Sequence, residues 1–228
     1  MILFNDFKSH YDAVRDEIRP AVDRVLESAW YILGEELQAF EQSFSKYIGA
    51  AYAVGVASGT DAIALALMAA EIGDGDEVIT SNMTAFPTIT GITMTGAVPV
   101  VVDIDPATGL LDPAAVEAAI TPRSRAVVPV HLYGQSCDMD AITALTQAHR
   151  ISVIEDCAQS VGATCRGKTT GTIGKLGCFS FYPTKNLGAF GEGGFVITQD
   201  SDVAQRVGQL RHHGQVSKFE HASIGYNM

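Results

Sequence analysis

Basic residues are scarce: 15 Lys and Arg stand against 26 Asp and Glu, a formal charge of −11 over 228 residues. Nucleic-acid binders need cations in excess to neutralise phosphates, so that class is excluded. Cysteine is scarce as well. Cys137, Cys157, Cys165 and Cys178 form no C-x-x-C pair and no zinc-type spacing with the six histidines. Reduced, mostly buried thiols in a cytoplasmic protein without a metal site are expected. A signal-peptide pattern is lacking, because charges come too early in MILFNDFKSHYDAVRDEI. One uncharged stretch, residues 78–102, is long enough to span a bilayer. Pro87, Pro99, Gly91, Gly96 and Asn82 break it, so it reads as strand–turn–helix–turn–strand. Internal repeats, low-complexity tracts and linkers are absent too. So is G-x-G-x-x-G after the first strand-like run, which excludes a dinucleotide-binding oxidoreductase.

What is present is apolar residue in quantity. Hydrophobic side chains make up 47% and charged ones 18%, enough for a substantial buried core. Charge is uneven. Residues 1–165 carry 8 basic and 22 acidic side chains, while 166–228 carry 7 basic and 4 acidic. A locally positive C-terminal segment suits an anionic ligand, and equally suits an uneven solvated surface. From about Phe7 to Ala29, Tyr11, Val14, Ile18, Val22 and Val25 recur at helical spacing, with Pro20 expected to kink or split the helix. A second amphipathic segment follows Gly34, with Leu37, Phe40, Phe44 and Tyr47.

After Gly49 the texture changes. Seven short apolar runs appear: 53–58, 77–81, 98–104, 126–134, 152–157, 179–183 and 194–198. Helix-like stretches such as DAIALALMAAEIG separate most of them. Apolar strands joined by helical crossovers predict an α/β fold with a mostly parallel seven-stranded sheet flanked by helices. Ligands in such sheets gather outside the carboxyl ends of the strands.

Several runs end in residues with chemical potential. Asp156 follows SVIE and precedes Gln159; alone, such an Asp reads as a cap for a following helix. Ser180, Lys185 and Asn186 close FSFYPTKN, where a lone Lys reads as a solvated surface residue. SGTDAI (58–63) opens a helix, by a cap at Ser58 or Thr60 or by N–H groups left free for a phosphate. Each signal is weak alone. Together they meet one demand: an amine for an imine, a carboxylate for a pyridinium nitrogen, and a phosphate cup.

The strings YILGEELQAFEQSF, VGVASGTDAIALAL, PVHLYGQ, VIEDCAQSVGA, GCFSFYPTKNLGAFGEGGFVIT and RHHG…GYN resemble, in order, the motifs of DegT/DnrJ/StrS-type sugar aminotransferases. The resemblance implies the large domain of a fold-type-I enzyme dependent on pyridoxal 5'-phosphate (PLP). It implies a helical segment over about 1–50 and a PLP-binding unit over about 51–228 in a single domain. Carried over by position, Lys185 forms the Schiff base, Asp156 pairs with the pyridine nitrogen and Gln159 approaches the phenolic oxygen. Gly59, Thr60 and Ser180 hold the phosphate, Phe86 stacks on the ring, and Asn227 reaches the phosphate of a partner subunit.

The implied activity moves an amino group from glutamate or glutamine to a keto-sugar, by the PTKNLGA form a nucleotide-linked 3-keto-6-deoxy sugar, in a cytoplasmic homodimer. Two departures stand out. Glu192 in GEGG replaces the common Asp, and the chain ends at Met228 where relatives continue into a smaller C-terminal domain, so truncation is expected. A sugar dehydratase on the same fold replaces the Schiff-base Lys by His, and Lys185 is kept here. A non-catalytic or regulatory PLP-binding fragment is the remaining alternative.

Overall fold

The computed structural model describes residues 4–228. Two helices come first: α1 (Phe7–Ser28) and α2 (Glu35–Ile48). Asp6 caps α1, accepting from the Ser9 N–H at 3.0 Å. Contrary to expectation, α1 runs unbroken through Pro20. The proline removes the bond to the carbonyl of Asp16, and that residue is exposed, so water can satisfy it. No residue of α1 is buried; the stripe of Tyr11, Val14, Ile18 and Val25 is half-exposed. α2 is anchored through Phe44 and Ile48, and Phe44 packs edge-on against Phe179 and Phe195.

The rest alternates as the apolar runs predict. In chain order it comprises β1 (Tyr52–Val56), α3 (Gly59–Ala69), β2 (Glu77–Ser81), α4 (Phe86–Thr93), β3 (Val98–Val102), α5 (Pro113–Ala119) and β4 (Ser124–Val128). It continues with α6 (Met139–His149), β5 (Ser152–Asp156), β6 (Leu176–Ser180), β7 (Gly194–Thr198) and α7 (Ser201–Arg211). The strands form one seven-stranded sheet in the order β1-β7-β6-β5-β4-β2-β3. All run parallel except β7, which is antiparallel to both β1 and β6. The cause is the connection: residues 181–193 contain no crossover helix, so the chain can only turn back.

β2, β6 and β7 are buried along their whole length. The helix α3 is buried almost all round, with Ala62 to Leu67 and Ala69 in the core beside Val78, Ile154 and Val196. A second core lies around Ile79, Val127, Met139 and Ile142. Among the described residues, no helix is long and apolar enough to cross a membrane.

Candidate active site

Five strands deliver their carboxyl ends to one region. There the loops after β1, β2, β4, β5 and β6 surround a cavity of about 490 Å³. Its lining includes Gly59, Thr60, Asp156, Gln159, Ser180 and Lys185, six of the eight residues singled out from the sequence.

The wall at α3 is built for close approach. Ser58 caps the helix, its hydroxyl oxygen accepting from the Asp61 N–H at 3.1 Å. Gly59 and Thr60 occupy the first turn, where N–H groups have no intrahelical acceptor. A Cβ on Gly59 would lie 2.5 Å from the Ser180 Cβ, so only glycine lets the helix end and Ser180 meet. Gly194 is equally constrained, since a Cβ there would fall 2.3 Å from the Ser58 carbonyl oxygen. Ser180 Oγ accepts the Tyr182 N–H at 3.3 Å, which leaves its own proton free to donate. Three donors at the positive end of a helix make an anion cradle.

Opposite stands Asp156, 4% exposed. Its Oδ1 accepts from the Ala158 N–H at 3.0 Å and its Oδ2 from the Thr88 hydroxyl at 2.8 Å. Burial pushes its carboxyl above the ordinary range, opposed in turn by the Ala158 N–H, the Thr88 hydroxyl and the charge of Lys185. No helix follows Asp156; residues 157–163 form turns, so the helix-cap expectation is corrected to a turn bond. Lys185 is half-buried in the segment after β6, its N–H bonded to the Tyr182 carbonyl.

Gln159 is oriented from behind. Its Oε1 accepts the Tyr133 N–H at 2.9 Å, leaving the amide NH₂ as its free end. Tyr133 pays for this with a left-handed backbone, φ +54°. That turn is held by the buried His131, whose Nε2 lies 2.9 Å from Glu155 Oε2. Glu155 also accepts N–H bonds from Gly171, Ile173 and Gly174 at 2.8, 2.8 and 2.6 Å. His131, Glu155 and Cys157 are close enough to share a cation. The His131 Nδ1 already accepts the Cys137 N–H, and Glu155 is saturated, so this cluster is a clamp rather than a ligand set. Burial pushes the Cys137 thiol up to about 12 and those of Cys157 and Cys178 upward too, which leaves them protonated.

The other two of the eight residues lie outside this lining. Phe86 is 77% exposed and outside the lining, while its neighbours Ala85 and Pro87 belong to the wall. It opens α4, where one residue turns the side chain by about 100°. Asn227 is exposed and bridged to His212 beside the end of α7, outside the lining. Residues not foreseen in the lining include Thr84, Thr88, Tyr182 and Glu192. Thr84 stands just before α4 and Thr88 in its first turn, with their hydroxyls 2.7 Å apart.

A profile of the DegT/DnrJ/EryC1/StrS aminotransferase family matches residues 12–228. The UDP-N-acetyl-3-dehydro-alpha-D-glucosamine 3-aminotransferase of Acidithiobacillus ferrooxidans is 46% identical over 97% of this chain and 60% of its own length. Among solved structures, Streptomyces venezuelae DesV in complex with a ketimine intermediate superposes with a TM-score of 0.96 at 46% identity. It is covered over 99% of this chain and 61% of its own. The PLP form of Spr1654 of Streptococcus pneumoniae gives 0.85 at 30% identity, over 92% and 59%. The chain thus spans about 60% of the length of the curated relative it matches. The sheet, with its single reversed strand, is the large-domain sheet of fold-type-I aminotransferases. By sequence and by structure, the chain belongs to the DegT/DnrJ/EryC1/StrS aminotransferase family.

Proposed function

We propose that this chain carries the cofactor site of a PLP-dependent aminotransferase, passing an amino group from glutamate or glutamine to the 3-keto carbon of a nucleotide-linked sugar. The observation that carries this is the pairing, across one cavity, of a buried carboxylate and a lysine beside an anion cradle. The cradle suits PLP's phosphate, because the space that a Cβ on Gly59 would fill is kept open. The position of the keto group is supported by the 3-dehydro sugar in the name of the Acidithiobacillus relative.

PLP, when bound, supplies an electron sink for the carbon that loses or gains a proton. The protein supplies position and proton control. Gly59 and Thr60 donate N–H groups, and Ser180 its hydroxyl, to the phosphate. Asp156 holds a proton on the ring nitrogen, since a desolvated carboxylate favours a cationic partner. The Gln159 amide donates to the phenolic oxygen, with its carbonyl already engaged by Tyr133. Lys185 Nζ would hold the cofactor covalently and, when free of it, would carry the proton. With PLP bound, added glutamate should bleach the visible band, and a nucleotide 3-keto-sugar should restore it. A band indifferent to every amino donor would refute the proposed transfer.

The proposed unit is a single domain, a helical segment over about 1–50 packed beside a PLP-binding part over about 51–228, working in the cytoplasm as a homodimer. Four free cysteines support a reducing compartment. The dimer is supported by α1, which buries nothing, and by the exposed Leu26, Trp30, Tyr31 and Ile32 that follow its stripe. Asn227, remote from its own cavity, is then available to a partner's phosphate. Sedimentation at micromolar concentration should read a dimer; a lone monomer would count against both assignments.

A further inference from the structure

Resting on that assignment of Asp156, we propose that Thr88 is a positioning residue for the reaction: its hydroxyl, backed by Thr84, keeps the Asp156 carboxylate charged and aimed into the cavity. Thr88 is 1% exposed and its Oγ1 lies 2.8 Å from Asp156 Oδ2. A second contact, 2.7 Å, joins it to Thr84 Oγ1. The direction of this second bond follows from the first. A charged carboxylate only accepts, so Thr88 must give its proton to Asp156 and take one from Thr84. Both threonines line the cavity, so the relay runs along its wall from Thr84 to the buried carboxylate. Charge-assisted bonds in such a chain polarise one another.

No other side chain can do this. Among the described residues, the Asp156 carboxylate oxygens accept only from the Thr88 hydroxyl and the nearby Ala158 N–H. His131, whose charge would help, spends both ring nitrogens on Glu155 and the Cys137 N–H. Glu155 is the preceding strand residue and points to the opposite face. The other titratable groups near Asp156 are Cys137, Cys157 and Cys178, all protonated thiols, and Lys185 across the cavity. Burial favours the neutral acid, so the carboxylate's charge depends on few donors. A neutral Asp156 could not hold a proton on a ring nitrogen.

The test begins without cofactor. In protein labelled with 13C at Asp carboxyls, the Asp156 signal is assigned by its loss in Asp156→Asn and titrated with pH. Thr88→Val keeps the side-chain shape and removes the donor. It should raise the proton affinity of Asp156 about tenfold or more. Thr88→Ser should titrate like the wild type, and Thr84→Val should shift the same way by less. Thr84→Val also serves if Thr88→Val fails to fold, because it cuts the relay one bond further out. A folded Thr88→Val with the wild-type titration, or Thr88→Ser shifting as far as Val, would overturn the proposal.

The second readout is the 15N shift of ring-labelled PLP in the loaded protein, which should move toward the unprotonated pyridine value in Thr88→Val. If the Asp156 titration shifts while the ring nitrogen does not respond, Asp156 is not its partner. That result overturns the role of Thr88 in the reaction together with the assignment on which it rests.

Discussion

Lys185→Ala should abolish the borohydride-fixed PLP label and slow the amino-donor half-reaction by about 10³-fold or more. Two functions are lost at once. The amine no longer forms a covalent bond to the cofactor, and no group remains to carry the proton, a role worth about 10² to 10⁴-fold by itself. Lys185→Arg should be nearly as damaging, because guanidinium keeps the charge yet cannot give up its proton near neutral pH. Neither change should unfold the chain, since Lys185 is half-buried in a loop and contributes no core side chain. The other lysines cannot substitute. Lys175 precedes Leu176, so it sits at the opposite end of β6 from the cavity. Five strand residues put it about 17 Å away. Lys168 lies in a two-stranded hairpin outside the main sheet. Peptide mapping of the reduced wild type should therefore find PLP on Lys185 alone. A label on Lys168 or Lys175, or a label that survives in Lys185→Ala, would sink the assignment.

Much of this site was legible because buried strands and the residues that end them leave local marks. All seven apolar runs became strands, and β2 and β7 match their predicted bounds. The sixth was misplaced by three residues. FSFYP reads as strand from its aromatic residues, yet the ladder occupies Leu176–Ser180 and the chain leaves it before Tyr182. Gly177, which lowers strand propensity, sits there because a Cβ would meet the Gly171 Cα at 2.5 Å. That reason is tertiary and invisible in a window of sequence. Phe86 lies outside the lining for a different cause. The resemblance marked the right turn of chain, but the first residues of α4 fan out around the axis and Ala85 lines the cavity instead. Thr88 was passed over because a threonine in an uncharged run carries no chemical signature until its partner is known. Its partner is 68 residues away. The Glu155–His131 clamp is hidden in the same way, since Glu155 reads only as the neighbour of Asp156.

Asp156→Ala separates holding the cofactor from using it. The phosphate contacts proposed for Gly59, Thr60 and Ser180 would be untouched, and so would the lysine, so PLP should still bind and still be fixed to Lys185. The half-reaction should nevertheless fall by about 10²-fold, from the loss of a positioned charge that favours the protonated ring. A structural penalty comes with it, because the Thr88 hydroxyl and Ala158 N–H lose their acceptor in a buried site. Each orphaned donor costs about 1 to 3 kcal/mol. Thr88 can turn back toward Thr84, 2.7 Å away, which offsets part of that. The rate loss must therefore be read on protein shown by near-UV dichroism to be folded, and with PLP saturating. Asp156→Asn supplies the control: it preserves shape and the Ala158 bond, removes the charge, and should be slowed as severely as the alanine variant. If Asn turned over at the wild-type rate while Ala did not, the residue would be serving as a turn anchor for 156–158, and the ring nitrogen would have no charged partner in this cavity.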